Sequence, residues 1–307
     1  MKRETLYILI ILSSILFGFD TSGADQVTLT FQSAGSSDEI PATILKPAGE
    51  GPFPAIVIVH DCSGLGPKSS GSPMRWGQYL VQQGYVIMLP DSFTPRGLPG
   101  GICTVPPSQS NVANGNVRMR DAYGALIALR KLSYVDGKRI GIMGGSHGGM
   151  TTLAAMVKSP TENDLVGGLK SNGFVAGIAF YPNCGVWFGE WRTVRQNKTF
   201  GPVVSHSGVY KPIGPVMILT GEKDDWDPAE ECRQMVEVSR AEGYPISLVT
   251  YPDAHHSFDS TLPVNFNPNR TAVSAPTGKG ATVGGNAAAW ADAKKQVTSF
   301  FDQHLKK

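Results

Sequence analysis

The chain has 307 residues, of which 41% are hydrophobic and 17% are charged, and its formal net charge is only +2. This is the ordinary balance of a globular protein with enough apolar material for a sizeable core. Basic and acidic residues are scattered, so the sequence offers no basic stripe for nucleic acid and no acidic tail. The 36 glycines and 22 prolines favour a loop-rich α/β protein over a helical bundle.

The N-terminal residues 1–24 have the three parts of a secretory signal peptide. Lys2 and Arg3 provide a positive start, residues 6–19 form an apolar stretch, and residues 22–24 are small enough for a cleavage site. The apolar stretch is shorter than the roughly 20 residues that a membrane-spanning helix needs. We therefore predict a signal peptide, export to the periplasm or the exterior, and no membrane span after cleavage. An uncleaved anchor or a mobile N-terminal helix is the alternative.

Strands and helices alternate along the rest of the chain. Residues 26–31 and 40–45 have the pattern of a hairpin of two short strands. Apolar runs predict strands buried on both faces, as in a parallel sheet, at residues 55–59, 85–89, 140–143, 175–180, 216–220 and 246–250. Helices are predicted at residues 74–83, 118–132, 150–156, 229–241 and 287–305. We predict one α/β domain over residues 25–307, with a mostly parallel central sheet and helices on both faces.

Two stretches lack this regularity. Residues 185–214 are rich in aromatic side chains, and long loops in a compact domain are commonly functional or disordered. We expect this stretch to cover a substrate cleft, with Trp187 as a substrate-binding residue. Residues 260–285 are rich in Pro, Gly, Asn and Thr. Residues 278–285 superficially resemble a phosphate-binding loop, but no strand precedes them and no Lys-Ser/Thr pair ends them, so we predict a plain surface loop.

A candidate nucleophile lies directly behind the strand predicted at residues 140–143. Residues 144–149 read Gly-Gly-Ser-His-Gly-Gly, which places glycines two residues to each side of Ser146. This is the form of a nucleophile elbow, a sharp strand-to-helix turn at which Gly144 and Gly148 remove side chains that would collide. The strand before the motif and the helix after it make the match more specific than the motif alone.

A serine hydroxyl is a poor nucleophile near neutral pH, so it needs a base and a group that orients that base. In an α/β-hydrolase these follow in the order Ser, acid, His at the carboxyl ends of later strands. Asp224 and Asp225 follow the strand that ends at residue 220, and His255 and His256 follow the last predicted strand. Both partners therefore occur in the expected order and at the expected strand ends.

At these residues the chain resembles the dienelactone hydrolase family of α/β-hydrolases, and the resemblance extends from about residue 26 to residue 305. The family's Gly-x-x-Asp turn corresponds to Asp224, with Asp225 as the competing choice, and its His before an x-Phe pair corresponds to His256 rather than His255. Residues 91–93 with Arg96-Gly97, and the Asp-Trp-Asp-Pro run at residues 225–228, also look like the family.

The tetrahedral intermediate of acyl transfer needs two backbone N–H donors. One is expected from His147, the residue after the nucleophile, at a helix N-terminus where the dipole favours negative charge. By the family's pattern the other is the amide of Cys62. The side chains of His147 and His60 are interpreted as structural.

Two departures from the family bear on the substrate. Dienelactone hydrolases proper use a Cys nucleophile, where this chain has Ser146, and they hold the substrate carboxylate with two arginines. Arg96 corresponds to the first and is a candidate substrate-binding residue, but Ser260 stands at the second position. A bidentate clamp on a carboxylate is lost without the second arginine. Ordinary esters are therefore favoured over charged dienelactones.

The four cysteines are an even set, which in an exported protein favours two disulfides. Their spacing matches no zinc pattern, and the sequence alone allows three pairings. All four follow predicted strands whose loops meet at the carboxyl edge of the sheet. We therefore predict Cys62–Cys103 and Cys184–Cys232, with four reduced thiols in an unexported protein as the alternative.

These observations predict an exported serine esterase that uses Ser146, His256 and Asp224, passes through an acyl-enzyme and needs no metal or organic cofactor. Its expected partner is a small-molecule ester. A serine peptidase is one alternative, because the elbow also resembles that of prolyl-oligopeptidase-like enzymes. A dienelactone (carboxymethylenebutenolide) hydrolase in the strict sense is another, and a non-catalytic binding protein is a third. The sequence leaves the acyl chain length, the physiological substrate and the oligomeric state open.

Overall fold

The computed structural model describes residues 25–158, 167–197 and 200–307, so the predicted signal peptide at residues 1–24 lies outside the described residues. The strands described are β1 (Asp25–Gln32), β2 (Glu39–Lys46), β3 (Phe53–Val59), β4 (Val86–Pro90), β5 (Val135–Gly145), β6 (Gly177–Phe180), β7 (Arg192–Arg195), β8 (Val203–Ser207), β9 (Val216–Gly221), β10 (Ile246–Tyr251), β11 (Asn265–Thr271) and β12 (Lys279–Val283). The α-helices described are α1 (Ser72–Gln82), α2 (Pro107–Ser110), α3 (Gly115–Leu129), α4 (His147–Met156), α5 (Gly167–Lys170), α6 (Ala229–Ala241) and α7 (Ala287–Leu305).

Eight of the described strands form one central sheet in the order β1-β2-β4-β3-β5-β6-β9-β10. β1 and β2 form the predicted antiparallel hairpin, and β2 also pairs antiparallel with β4. From β4 to β10 every neighbouring pair is parallel. The prediction of an α/β-hydrolase fold with a mostly parallel sheet is confirmed.

The parallel strands are apolar throughout because both faces of the sheet are covered. Along β3, Ala55, Val57 and Val59 pack into a core that includes side chains of α3, α4 and α6. The alternate residues Ile56 and Ile58 pack into a second core with side chains of α1 and α7. Successive side chains of a strand point to opposite faces, so an uninterrupted apolar run is what a doubly covered strand requires.

The two stretches predicted as irregular contain strands. Within residues 185–214, β7 and β8 form a two-stranded antiparallel sheet. Within residues 260–285, β11 pairs antiparallel with β12, and Val283 forms a further bridge with His256. The prediction of a plain surface loop at residues 260–285 is therefore wrong. Short, polar strands with Gly and Pro carry too weak an alternation to be recognised from sequence, whereas tertiary contacts still order them.

The parallel arrangement brings four loops to the carboxyl edge of the sheet. The loop after β3 carries Cys62, the turn after β5 carries Ser146, and the loops after β9 and β10 carry Asp224 and His256. In open α/β sheets ligands bind at this edge. Among the described residues no helix is long and apolar enough to cross a membrane.

Disulfides link two pairs of these edge segments. Cys62 is bonded to Cys103, with their Cα atoms 5.0 Å apart, and Cys184 is bonded to Cys232, with their Cα atoms 4.9 Å apart. These are the pairs predicted from the positions of the loops. The first ties the loop after β3 to the segment after β4, and the second ties the segment after β6 to α6.

Candidate active site

Ser146 occupies a strained turn between β5 and α4. Its φ of 54° and ψ of −118° lie outside the regions that a side chain ordinarily allows, a conformation that costs of order 1–3 kcal/mol. The turn is fixed by the Ser146 N–H, which donates to the Phe180 carbonyl at 2.9 Å. A Cβ on Gly144 or Gly148 would collide with the Val59 carbonyl, so the two glycines are what allows the turn to lie against β3.

Asp224 and His256 form a buried pair. Nδ1 of His256 lies 2.8 Å from Oδ2 of Asp224, and both side chains are almost fully buried. The other carboxylate oxygen, Oδ1, accepts hydrogen bonds from the N–H groups of Trp226 and Asp227 at 3.0 and 2.9 Å. The carboxylate is thus held by its own turn and oriented towards the imidazole.

The second ring nitrogen of His256, Nε2, is buried and has no hydrogen-bond partner among the described residues. A buried polar atom normally has one, so an unpaired Nε2 marks a position where another group is expected to bind. The indole of Trp226 stacks near the imidazole, with ring centres 4.7 Å apart, and Trp226 lines the same cavity as Ser146. This contact places His256 beside that cavity.

The residues adjacent to this pair are directed elsewhere. Asp225 accepts two hydrogen bonds from Thr282, from its N–H and its hydroxyl, both at 2.7 Å. Nδ1 of His255 lies 2.9 Å from the Lys223 carbonyl. Asp225 therefore attaches the loop after β9 to β12. The structure brings Asp224 together with His256 instead.

A second buried carboxylate, on Asp259, holds the loop that carries His256. It accepts hydrogen bonds from the Tyr181 hydroxyl and the Trp76 indole N–H, each at 2.7 Å, and from the Ser72 hydroxyl at 3.2 Å. The Tyr181 ring also packs on the His256 imidazole, with ring centres 4.6 Å apart. The histidine is therefore fixed from both sides by packed aromatic rings.

The charge environment raises the pKa of His256. Burial opposes protonation, but the charge and hydrogen bond of Asp224, together with the charge of Asp227, outweigh it and raise the pKa of His256. Asp227 is a residue that sequence reasoning passed over. Its Oδ2 lies 3.9 Å from Nδ1 of His256. Burial raises the pKa of Asp227 to about 7, the charges of Asp224 and Glu231 adding to the effect and His256 and Asn183 opposing it.

The two amides predicted for the oxyanion are available. Neither the Cys62 N–H nor the His147 N–H donates a hydrogen bond within the described residues. The loop that carries Cys62 is held by its disulfide, by the Ile102 N–H donating to the Cys62 carbonyl at 2.6 Å, and by the Asp61 carboxylate. That carboxylate accepts from the Ser63 N–H at 2.7 Å and from the hydroxyls of Ser63 and Ser70.

Behind this region lies a buried arginine that sequence reasoning also missed. One Arg118 nitrogen is 2.6 Å from Nδ1 of His147, and another donates to the His60 carbonyl at 2.6 Å. Burial and the Arg118 charge lower the pKa of His147 to about 3, and the same causes lower that of His60 well below its usual range. Both imidazoles are thus placed beside a buried guanidinium, and their interpretation as structural stays a prediction. Arg118 had no distinct sequence signal, because Arg120 and Asp121 are charged residues of the same helix.

A cavity of about 220 Å³ adjoins Ser146, and we call it the inner cavity. Its lining is mainly apolar and comprises Cys62, Ile102, Cys103, Val105, Ser146, His147, Met150, Asn183, Val186, Trp226, Asp227, Thr271 and Val273. A second cavity of about 500 Å³, the outer cavity, shares Thr271 and Val273 with it and is bordered by Phe200 and Lys279. The segment predicted as a plain surface loop therefore borders the candidate site.

Two predicted substrate-binding residues do not line the inner cavity. Arg96 donates to both carboxylate oxygens of Asp121, at 2.7 and 2.9 Å, and to Asp38 at 2.8 Å. The Arg96 guanidinium therefore forms ion pairs with Asp121 of α3 and with Asp38, which lies just before β2. Trp187 is 67% exposed, and its indole N–H donates to the Thr193 carbonyl. The neighbouring Val186 lines the cavity instead.

The arrangement can perform acyl transfer: a hydroxyl on a strained turn, an imidazole oriented by a carboxylate, and two unused amides beside an apolar cavity. No cluster of His, Cys, Asp and Glu within the described residues is arranged to hold a metal ion.

A sequence profile of the dienelactone hydrolase family matches residues 40–305. The chain belongs to the dienelactone hydrolase family.

The relatives of this dienelactone hydrolase family member include proteins named as a carboxymethylenebutenolidase and as a peptidase. It is 25% identical over 270 residues to "Putative carboxymethylenebutenolidase" of Yersinia pestis, covering 86% of this chain and 88% of that protein. It is 26% identical over 218 residues to dipeptidyl-peptidase 5 of Porphyromonas gingivalis, covering 66% of this chain. The matched region spans only 30% of that peptidase.

Solved structures share the fold. A dienelactone hydrolase-like promiscuous phosphotriesterase from metagenomic libraries aligns with a TM-score of 0.59 at 16% identity, covering 92% of this chain and all of that one (100%). A thermophilic esterase of Thermogutta terrifontis aligns with a TM-score of 0.55 at 17% identity, covering 92% of each chain. At these identities the likeness concerns the fold.

Proposed function

We propose that this protein is an exported serine hydrolase that cleaves carboxylic esters through Ser146, His256 and Asp224. The observation that carries the proposal is the buried Asp224–His256 pair: Nε2 of His256 is unpaired among the described residues, and Trp226, which packs on the imidazole, lines the same cavity as Ser146. One ring nitrogen is held by the carboxylate, so the tautomer that leaves Nε2 free to accept a proton is favoured.

In the first half-reaction the Ser146 hydroxyl attacks the ester carbonyl while His256 accepts its proton. The carbonyl oxygen becomes an oxyanion, which the amides of Cys62 and His147 stabilise. The intermediate collapses to an acyl-enzyme, and His256 returns the proton to the departing alcohol. In the second half-reaction His256 deprotonates a water molecule that releases the acid, so no cofactor is required.

The mainly apolar lining of the inner cavity supports an ester of modest size as the substrate. A peptidase is the second candidate, and the observation that favours it is the match to the dipeptidyl-peptidase of P. gingivalis. Turnover of p-nitrophenyl butyrate should be compared with that of aminoacyl p-nitroanilides. We expect hydrolysis of the ester with little cleavage of the anilides, and preferential cleavage of the anilides would favour the peptidase.

Export is supported by the signal-peptide pattern of residues 1–24 and by two disulfides, which persist in oxidising compartments. Expression of the full chain followed by fractionation and N-terminal sequencing tests it. We expect the exported form to begin near residue 25 and to contain no free thiol. A protein that stays in the cytoplasm with an intact N-terminus would contradict export.

A further inference from the structure

One carboxylate lies in the wall of the inner cavity. Among the described residues that line this cavity, Asp227 is the only acidic one, and its neighbours include Val105, Met150 and Val273. The Asp227 side chain is only 6% exposed. A buried carboxylate in an apolar cavity is costly unless paired, so its position calls for an explanation.

Orientation of His256 does not account for Asp227. Nδ1 of His256 already has Asp224 at 2.8 Å, whereas the nearest Asp227 oxygen is 3.9 Å away, beyond hydrogen-bond distance. Asp227 is placed by its own N–H, which donates to Asp224, and by its position just before α6. Asp227 thus lines the inner cavity with its carboxylate close to the imidazole.

The nearby cations are committed to other groups. Arg195 forms an ion pair with Glu231, with a nitrogen–oxygen distance of 3.0 Å, and also donates to the Gly201 carbonyl. Arg118 lies behind His147 and does not line the cavity. Within the described lining residues no lysine or arginine is present to balance the charge of Asp227.

We propose that Asp227 makes this enzyme select against substrates that carry a carboxylate in the group held by the inner cavity. The inference rests on the proposed function and extends it to the charge of the substrate that the inner cavity accepts. Like charges repel far more strongly in a water-poor cavity than in water. We expect a neutral ester to be preferred over its anionic counterpart by about tenfold or more.

The preference should depend on pH. The groups that face Asp227 are His256 from the loop after β10, Asp224 from its own loop and Glu231 from α6, and the Asn183 side chain forms a hydrogen bond with it. Burial raises the pKa of Asp227, so over the range from about pH 6 to about pH 8.5 its negative charge increases as pH rises. A substrate carboxylate is ionised throughout that range, so discrimination against it should grow with pH.

The test uses two matched pairs of esters on the purified enzyme. The first pair is the p-nitrophenyl esters of adipic acid (as the half-ester) and of adipamic acid, which differ only by carboxylate or carboxamide. The second pair is the butyrate esters of 4-hydroxybenzoate and 4-hydroxybenzamide, which move the charge to the leaving group. For each pair the ratio of kcat/KM, neutral over anionic, is measured at about pH 6 and about pH 8.5 in wild type and in Asp227→Asn.

We expect an effect in the pair whose variable group occupies the inner cavity. For that pair the ratio of kcat/KM, neutral over anionic, should rise with pH in wild type. In Asp227→Asn the same ratio should be about tenfold lower. A structural effect of the substitution would lower both members of a pair equally and leave the ratio unchanged. Asp225→Asn, an adjacent charge bonded to Thr282 outside the cavity, should keep the wild-type ratio. The pH dependence of this ratio can be measured on the wild-type enzyme alone.

A ratio that is independent of pH and of Asp227 in both pairs would overturn the inference while leaving the esterase proposal intact. No turnover of any neutral ester would instead overturn the proposed function, and the inference with it.

Discussion

At the residue scale, neighbours of the same type differ in function because the backbone turn decides where each side chain lies. Asp224 turns inwards to His256, while Asp225 bonds Thr282 at the surface. His256 is buried between aromatic rings, while His255 bonds the backbone of Lys223. Residue type alone does not distinguish Asp224 from Asp225 or His256 from His255. The position of each residue in the family's motifs predicted Asp224 and His256.

The two acids should be separable by substitution. Asp224→Asn is expected to lower kcat by roughly 10³–10⁴-fold at neutral pH, because an amide favours the wrong His256 tautomer. Asp225→Asn should lower it far less, since its carboxylate contacts Thr282. Steady-state kinetics on a p-nitrophenyl ester measure both. A greater loss in Asp225→Asn would contradict the assignment of the acid.

The two histidines give an independent test. His256→Ala should lower kcat by several orders of magnitude, because it removes the proposed base for Ser146. His255→Ala removes one hydrogen bond to a backbone carbonyl and should have a small effect on kcat. The same kinetic assay, with circular dichroism to establish folding, compares them. If His255→Ala were the more damaging, the register of the base would be wrong.

The pH profile should report the charges around His256. The imidazole must be neutral to act as a base, and its pKa is raised, so kcat/KM is expected to reach half its maximum above the ordinary histidine value of about 6.5. Removing the negative charge of Asp227 destabilises the imidazolium, which lowers its pKa. In Asp227→Asn, kcat/KM should therefore reach half its maximum at a lower pH than in wild type. A shift to higher pH would contradict the electrostatic account.

At the element scale, the long apolar strands and periodic helices of the central sheet were predictable, and the two small hairpins were not. A buried parallel strand such as β3 shows itself in sequence because every residue is covered. The β11 strand is mostly exposed, and its pairing with β12 depends on contacts such as Asp225 with Thr282. Cavity residues contributed by that hairpin, Thr271 and Val273, therefore had no local signal, and neither had the charge environment of Asp227.

The disulfides should contribute in different ways. Replacing either pair by alanine is expected to lower the free energy of unfolding by about 2–4 kcal/mol, chiefly by freeing the unfolded chain. Removing Cys62–Cys103 should also reduce kcat more than removing Cys184–Cys232, because Cys62 supplies an amide beside Ser146 and both its sulfur partners line the cavity. Urea titration and ester kinetics on the two double variants measure these effects. An unchanged kcat without Cys62–Cys103 would argue against its role in the oxyanion site.

At the scale of the whole molecule, the parallel sheet explains why residues far apart in sequence meet. Segments after β3, β5, β9 and β10 converge because parallel strands place all their carboxyl ends at one edge. Two disulfides and a hairpin then fix those segments around one apolar cavity. The fold thus supplies a rigid edge, and the loops supply the chemistry.

The central claim is that Ser146 is the nucleophile, and covalent labelling tests it most directly. The purified enzyme should be treated with a fluorophosphonate, digested, and mapped by mass spectrometry. We predict a single phosphonylated residue, Ser146, with labelling and ester turnover lost in parallel, and no label in Ser146→Ala or in His256→Ala at short times. Full ester turnover by an enzyme whose Ser146 is labelled, or a label on any other residue that parallels inactivation, would contradict the account.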